Sequence, residues 1–440
     1  MEIKVFKFGG ASVNSAKGIR NLVSILDLYR DNNILMVVSA MGKTTNALEE
    51  VLKYYMSEDA IPMVDAYHKI RNYHMDILYE LFPDRFNPVF AEVEDIFDQL
   101  RGHIRKGHLS KDGKGAYNFE YDSIVSYGEL ISSAIIHHYL VYNRISSSLF
   151  DARELVRTDS TFMDARVDWD VTKKLIRSGI HKYFTSSRSG KIALTQGFIG
   201  SDHEGNTTTL GREGSDFSAA IFAFSLGTKE MTIWKDVPGV MNADPKWFKN
   251  ARKLDFLSFR EAIELAYYGA SIIHPKTIKP LENANITLLV RSFKDPGQPG
   301  TRIRNLKKWT ITTPIYIRKQ NQILISISPR DFSFIMEENL SQLFNILATH
   351  QVKVNVMQNS AISFSICIDN KHHALPLLLS ELHKNYIVRY NDETELYTIR
   401  HYNPAAIRRI TKNRKVLLEQ KTRNTIHLVV IPVSRQESHI

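Results

Sequence analysis

The chain has 440 residues, 43% of them hydrophobic and 24% charged. That balance excludes a disordered or fibrous protein and predicts two to four folded domains. Its single cysteine, Cys367, cannot close an internal disulfide, which excludes a disulfide-stapled secreted domain and makes a reducing cytoplasm the expected setting. Net charge is +10, and residues 401–440 hold eight Lys and Arg against two Glu. A solvated basic face accounts for this more simply than a nucleic-acid surface, so no nucleic-acid partner is expected. The N-terminus reads as a charged strand, not a signal peptide, and no apolar run approaches ~20 residues, so no membrane span is expected.

Residues 1–50 alternate strand, helix and strand, a βαβ opening for a mainly parallel sheet. The first strand ends in Lys7-Phe-Gly-Gly10. A lysine at a strand mouth, beside backbone N–H groups freed by Gly9 and Gly10, suits neutralising charge on a transferring phosphoryl group. Taken alone, such a lysine would be only an exposed strand end. The second strand runs into Ser39-Ala-Met-Gly-Lys-Thr-Thr45. Its Gly42-Lys43-Thr44 looks like the end of a P-loop, but Val37 stands where that motif needs glycine, and the P-loop is rejected.

From 60 to 105 the apolar period is helical, with Ala66, Tyr67 and Ile70 on one face and Val93, Phe97 and Leu100 on the next. His74 falls on the first face as a packed core histidine. Residues 102–118, rich in Gly, Lys and His, read as a solvated loop; their histidines lack a metal spacing, and no metal site is assigned. Ser126-Tyr-Gly-Glu129 then places a carboxylate at the start of an apolar helix.

The most informative segment is Thr207-Thr-Thr-Leu-Gly-Arg-Glu-Gly-Ser-Asp216. Glycines let N–H groups approach an anion, a helix start adds free donors and a positive dipole end, and Arg212 offers a planar fork for a carboxylate. By itself the segment would be an ordinary helix entry. Beyond it, strands are expected at 231–235, 287–291 and 301–304, the last completing the sheet, with a capping box at Ser258-Phe-Arg-Glu261 and a helix end at Gly269. After residue 305 the expected order is strand 323–328, helix 334–350, strands 353–358 and 362–369, helix 374–383 and strand 386–390, a ferredoxin-like unit. A shorter version follows: strand 396–401, helix 404–411, strands 416–420 and 425–431, with 315–318 available as a borrowed strand.

In this order, Lys7-Phe-Gly-Gly10, Val38-Ser-Ala40, Gly128-Glu-Leu130 and the Thr207–Asp216 segment, followed by Trp234-Lys-Asp-Val-Pro-Gly239, Asn242-Ala-Asp-Pro245 and Ile273-His-Pro275, resemble the amino-acid kinase family and, within it, the aspartate kinases. The resemblance implies an α/β amino-acid kinase fold, a mainly parallel sheet sandwiched by helices, over 1–305, with an aspartate side at about 1–230 and a nucleotide side at about 231–305. Residues 306–440 would hold two α+β ACT modules, about 321–392 and 393–440 with 310–320. The implied reaction is ATP-dependent phosphorylation of the L-aspartate side-chain carboxylate to 4-phospho-L-aspartate, the first step toward lysine, threonine and methionine. It places Lys7 on the transferring phosphoryl group with Asp216 orienting it, Arg212 on the substrate α-carboxylate and Glu129 on its α-ammonium. Ser39, Thr45 and Ser215 would bond the reacting carboxylate or its neighbours. Gly9, Gly10, Lys235, Asp236 and Lys246 would handle the nucleotide, with Mg2+ riding on ATP. An amino-acid effector and a homodimer or higher oligomer are implied for the ACT region.

The chain departs from the family pattern at several positions. Lys235 replaces a Thr, Ser271 replaces the Lys of Gly-Ala-Lys, Lys246 replaces an Arg, and Ala11 replaces a Thr or Ser. The expectation is compensation, with Lys235 delivering the cation that Ser271 lacks; the rivals are a catalytically weakened ACT-bearing regulator and a kinase for another small amino acid. In the regulatory region, Asn355 and Ala361 stand where lysine-inhibited relatives carry acids. Asn355, Gln358, Asn359 and Ser360 would suit a neutral polar effector such as threonine better than lysine, whose second ammonium would be buried without a carboxylate. No dinucleotide-binding domain follows within the chain, so no fused homoserine dehydrogenase is expected.

Overall fold

The computed structural model describes residues 2–107, 114–185, 190–270, 273–306, 312–331, 333–370 and 375–433. The chain divides into two compact units. The first comprises Met1–Val240, Lys253–Ile263 and Ile272–Lys307, and the second Met241–Arg252, Glu264–Ser271 and Lys308–Ile440. Residues 241–252 and 264–271, which precede residue 305, thus pack within the second unit.

The first unit opens with β1 (Ile3–Phe8), α1 (Ala16–Asp27), β2 (Asn33–Val38), α2 (Thr44–Met56), α3 (Ala60–Leu81) and α4 (Pro88–Lys106). All six side chains of β2 are buried, as expected of a strand covered on both faces. Ser15 caps α1 by accepting from Gly18 N at 3.2 Å, and Asn87 with Pro88 starts α4. There follow α5 (Lys114–Val125), α6 (Tyr127–Tyr142), β3 (Ser147–Phe150), α7 (Ala152–Leu155), α8 (Trp169–Ile176), α9 (Lys182–Thr185), β4 (Ile192–Gln196), β5 (Ile199–Ser201), β6 (Thr207–Thr209) and α10 (Gly214–Leu226). The last elements are β7 (Glu230–Lys235), β8 (Phe256–Ser258), α11 (Phe259–Tyr267), of which only the residues up to Ile263 belong to this unit, α12 (Pro275–Asn283), β9 (Thr287–Ser292) and β10 (Thr301–Arg304).

Eight strands form one sheet in the order β3-β4-β2-β1-β7-β9-β10-β8. Its pairs are parallel except β9 with β10. From β1 the chain adds β2 on one side and β7 on the other, so the strand order reverses there. Ligands of open α/β sheets bind at the carboxyl ends of strands at such a point. β10 is the last strand in sequence, but β8 lies outside it and forms the edge. Beneath the site, Trp234 is buried, stacked on Phe8 at 6.0 Å and edge-on to Phe6 at 5.6 Å. His74 is fully buried, bonded to Ile70 O and Thr44 Oγ1, and burial lowers its pKa to about 4, as suits a packed core histidine.

The expected loop at 102–118 is corrected at both ends: α4 continues to Lys106 and α5 begins at Lys114, with 108–113 outside the described residues. His103, read as solvated, is tied to the buried Glu120 at 2.8 Å, an anchor that keeps the last turns of α4 helical.

In the second unit, β11 (Ile315–Pro329), α13 (Glu337–Thr349), β12 (Val354–Asn359), β13 (Phe364–Asp369), α14 (Leu375–Asn385), β14 (Tyr386–Arg400), α15 (Pro404–Thr411), β15 (Arg414–Lys421) and β16 (Thr425–Pro432) build one antiparallel six-stranded sheet, order β12-β13-β11-β14-β16-β15. Two pairs of strands read as separate, 315–318 with 323–328 and 386–390 with 396–401, are each one long strand. The polar stretches between them bulge without breaking pairing: register shifts fall between Lys319 and Leu324, and Asn321 and Glu393 take positive φ. The halves 322–329 and 386–394, with β12, β13, α13 and α14, make a complete ferredoxin-like unit; 315–319 and 396–400, with β15, β16 and α15, make the shorter one. Helix α13 begins at Glu337, not 334, because Asn339 reaches back to Met336 N and caps it there. Among the described residues no helix is long and apolar enough to cross a membrane.

Candidate active site

At the carboxyl ends of β1 and β2, facing the start of α10, lies a cleft of ≈ 500 Å³. Its walls bring together eight of the residues singled out in the sequence: Lys7, Gly10, Ser39, Thr45, Glu129, Arg212, Ser215 and Asp216. The close crossing of two loops makes this possible. A Cβ on Gly10 would stand 2.5 Å from Ala40 O, so only glycine lets the turn after β1 meet the loop after β2. Backbone bonds from Gly42 N to Gly10 O at 3.0 Å and from Ser39 N to Phe8 O at 3.2 Å fasten the crossing.

Lys7, the penultimate residue of β1, is nearly buried and its Nζ stands 2.6 Å from Asp216 Oδ1 in the first turn of α10. Burial disfavours the Asp216 carboxylate, but the charges of Lys7 and Lys235 outweigh it and hold the group below the usual range. The three strand-end and helix-start residues thus act as one charged cluster, and Lys235 enters it from the end of β7. Gly9 lies against the Lys7 ammonium.

Glu129 is buried at the start of α6. Its Oε1 accepts from Ala40 N at 3.1 Å, while Oε2 is buried with no hydrogen-bond partner among the described residues. Burial pushes its pKa from 4.5 to about 8, against the opposing pull of the Ala40 N–H and Lys7. Glu129 lines the cleft, and a buried acceptor left without a partner among the described residues suits an ammonium group. Opposite in charge, Arg212 is exposed on the turn before α10 and has no ion-pair partner among the described residues. The turn is tight, with Gly211 at φ +77° and Glu213 at φ 55°, a left-handed position for a side-chain-bearing residue.

The raised pKa of Glu129 yields an expected result. The folded value lies above the unfolded one, so its stabilising contribution is complete at low pH and is lost as pH rises from about 4.5 to about 8. The limiting slope is about 1.4 kcal/mol per pH unit. Glu129→Gln should therefore gain in melting temperature relative to the wild type as pH rises from about 4.5 to about 8, yet bind an amino acid more weakly. Melting curves across pH, with and without L-aspartate, check this; parallel wild-type and variant profiles would contradict it.

The sequence missed several walls of the cleft. Glu49 and Tyr121 face it, joined by a 2.9 Å bond from the tyrosine hydroxyl, and Met163 and Phe198 line it with φ of 70° and 68°. Nothing in their local sequence marks them. Asp122, beside Tyr121, is fully buried, and burial lifts its pKa to about 6 despite hydrogen bonds from Thr209 and Met163. A carboxylate on the apolar side of a helix was the available signal.

Other predicted residues stand apart from the cleft walls. Asp236 is exposed in the turn after β7. Lys246 is exposed in the second unit, where its N–H donates to Asp244. Ser271 lies outside the described residues. Among the described residues no cluster of three or more His, Cys, Asp or Glu is placed to hold a metal ion. In the second unit, Asn355 is committed inward: its Nδ2 donates to Gln322 and Asp369, and its Oδ1 accepts from Lys319 Nζ at 2.8 Å. Asp369 is an acid that the 354–361 segment does not reveal, and Gln322, Asn355 and the charge of Lys319 already engage it. Gln358 and Asn359 are exposed, and the Ser360 hydroxyl is bound into the 360–363 turn.

Residues 2–292 match the amino acid kinase family. The lysine-sensitive aspartokinase 3 of Escherichia coli (strain K12) is 31% identical over 374 residues, 84% of this chain and 78% of that protein. The chloroplastic aspartokinase 1 of Arabidopsis thaliana is 30% identical over 83% of this chain, which spans 63% of that relative's length. Among solved structures, E. coli aspartokinase III in complex with lysine and aspartate (T-state) superimposes with a TM-score of 0.82 at 26% identity, over 99% of this chain and 97% of that one. The same enzyme with aspartate and ADP (R-state) gives a TM-score of 0.76 at 26% identity, over 98% and 97%. The cleft's charged cluster and these likenesses agree: the chain belongs to the amino acid kinase family and, within it, to the aspartokinases.

Proposed function

We propose that this chain transfers the γ-phosphoryl group of ATP to the side-chain carboxylate of L-aspartate, giving 4-phospho-L-aspartate and ADP. The observation that carries this reading is the presence, in one cleft, of a buried carboxylate oxygen without a partner among the described residues and an exposed guanidinium, with a Lys–Asp pair between strand and helix ends. An amino acid needs one anion, one cation and short donors converging on it. Glu129 Oε2 takes the α-ammonium, Arg212 the α-carboxylate, and the hydroxyls of Ser39, Thr45 and Ser215 hold the reacting carboxylate or its neighbours.

The attacking carboxylate is already ionised at neutral pH, so no general base is required. A carboxylate oxygen forms a bond to the γ-phosphorus while the bond from that phosphorus to the bridging oxygen breaks, and the electron pair leaves on ADP. Catalysis is then positioning and charge stabilisation. Lys7 neutralises charge developing on the phosphoryl oxygens, N–H groups of Gly9 and Gly10 assist, and Asp216 orients Lys7 without taking a proton. Lys235 and Asp236 serve the nucleotide, with Lys235 supplying the cation missing from the Gly-Ala-Lys position of the family. Magnesium, carried by ATP, would screen the phosphates; no protein cage is assigned to it.

The E. coli relative is named lysine-sensitive and was solved with lysine. For this chain the reading is that its two ferredoxin-like units act as ACT modules, bind an amino-acid effector and join copies of the chain, in the cytoplasm. Because Asn355 and Ala361 replace acids, threonine is the better candidate effector and lysine a weak one. ADP release measured with aspartate or glutamate as acceptor, with lysine or threonine added, tests the acceptor and the effector. Aspartate should be favoured by roughly 10- to 100-fold, the scale on which one methylene is discriminated. No aspartate-dependent release would favour the silent regulator, and tight inhibition by lysine alone would overturn the effector reading.

A further inference from the structure

We propose that Asp122 is a positioning residue for aspartate recognition: its buried carboxylate clamps the Met163 loop to strand β6 and thereby fixes where Arg212 stands. This rests on the reading of Arg212 given above. Asp122 accepts four hydrogen bonds from two distant segments. Met163 N reaches its two oxygens at 3.0 and 3.1 Å, Thr209 N donates to Oδ2 at 2.7 Å, and Thr209 Oγ1 donates to Oδ1 at 2.6 Å. The side chain is wholly buried and forms no ion pair among the described residues. A carboxylate so placed is held by its donors alone, and the donors in turn by it.

The geometry leads from this clamp to Arg212. Thr209 precedes Arg212 by three residues, and both of its backbone groups are taken: N by Asp122, and O by Ala165 N at 2.9 Å. Arg212 itself has no ion-pair partner among the described residues, so its place is set by the ends of its turn, Thr209 on one side and α10 on the other. The clamped loop also forms the floor of that turn. A Cβ on Gly211 would stand 2.5 Å from Asp164 Oδ1, and Asp164 is paired with Lys276. Met163 is held at φ 70°, a left-handed conformation that needs a surrounding restraint, and its N–H is the group Asp122 captures. Met163, Gly211 and Arg212 all face the cleft, so a shift of the clamp shifts the substrate wall.

Steady-state kinetics of the 440-residue chain test the proposal. Asp122→Asn keeps the volume but cannot accept all four bonds, and it should raise the aspartate KM about 10-fold while kcat and the ATP KM change less than about 3-fold. Thr209→Val removes one bond only and should raise the aspartate KM about 3-fold; it carries the test if Asp122→Asn fails to fold. In an Arg212→Ala background, Asp122→Asn should add less than about 2-fold, because residues acting through one another are not additive. Independent multiplication of the two effects, or equal losses in kcat and both KM values, would make Asp122 a general scaffold residue and overturn the proposal. An unchanged aspartate KM in the clamp variants, with a raised one in Arg212→Ala, would overturn the proposal alone. An unchanged KM in Arg212→Ala would overturn the role of Arg212 and the proposal with it.

Discussion

Replacing Lys7 by alanine is expected to lower kcat by on the order of 10²-fold or more while leaving the aspartate KM within a few-fold of the wild type. The lysine sits 2.6 Å from Asp216 at the end of β1, where its charge matters most as negative charge spreads over the transferring phosphoryl oxygens. Substrate aspartate is held elsewhere, by groups that Lys7 does not displace. The variant also leaves Asp216 buried beside Lys235 alone, so the carboxyl should rise toward the value burial dictates, and stability should be lost as pH rises from the usual carboxylate range to that value. Steady-state kinetics with both substrates varied, alongside a melting curve, separate the two effects. Near-normal turnover would remove Lys7 from the mechanism.

Arg212→Ala is expected to act on the other kinetic constant. A spectator α-carboxylate is bound about equally in the ground and transition states, so its partner should set the aspartate KM more than kcat, by roughly 10- to 100-fold. Lysine at this position should restore only part of the loss, because it offers a point charge in place of a planar fork. The ATP KM should not move. An unchanged aspartate saturation curve would show that the guanidinium does not meet the substrate.

How much of this was legible in the sequence depends on how far each residue's partners lie. Lys7, Ser39, Glu129 and Asp216 each stand where an apolar strand or helix starts or stops, and glycine or hydroxyl residues punctuate the same few positions. Local chemistry marks such places, and a parallel sheet collects the ends of its strands on one edge. Asp122 shows the limit: its partners lie 41 and 87 residues away, and no short window contains them. Met163 and Phe198 are shaped by positive φ that their side chains do not announce. In the second unit the error was of another kind. The polar run from Lys319 to Gln322 has turn chemistry, and Asn321 does adopt positive φ, but neighbouring strands on both sides hold the backbone in the sheet as a bulge. Tertiary pairing overrides local signal there.

The chemical nature of the product tests the central claim most directly. An acyl phosphate reacts with hydroxylamine, which displaces phosphate and leaves a stable hydroxamate. With the purified 440-residue chain, ATP, Mg2+, L-aspartate and hydroxylamine, the account predicts aspartate β-hydroxamate in amounts matching the ADP formed, and none when aspartate is omitted. ADP without hydroxamate, or a hydroxamate on the α-carboxyl group, would contradict it.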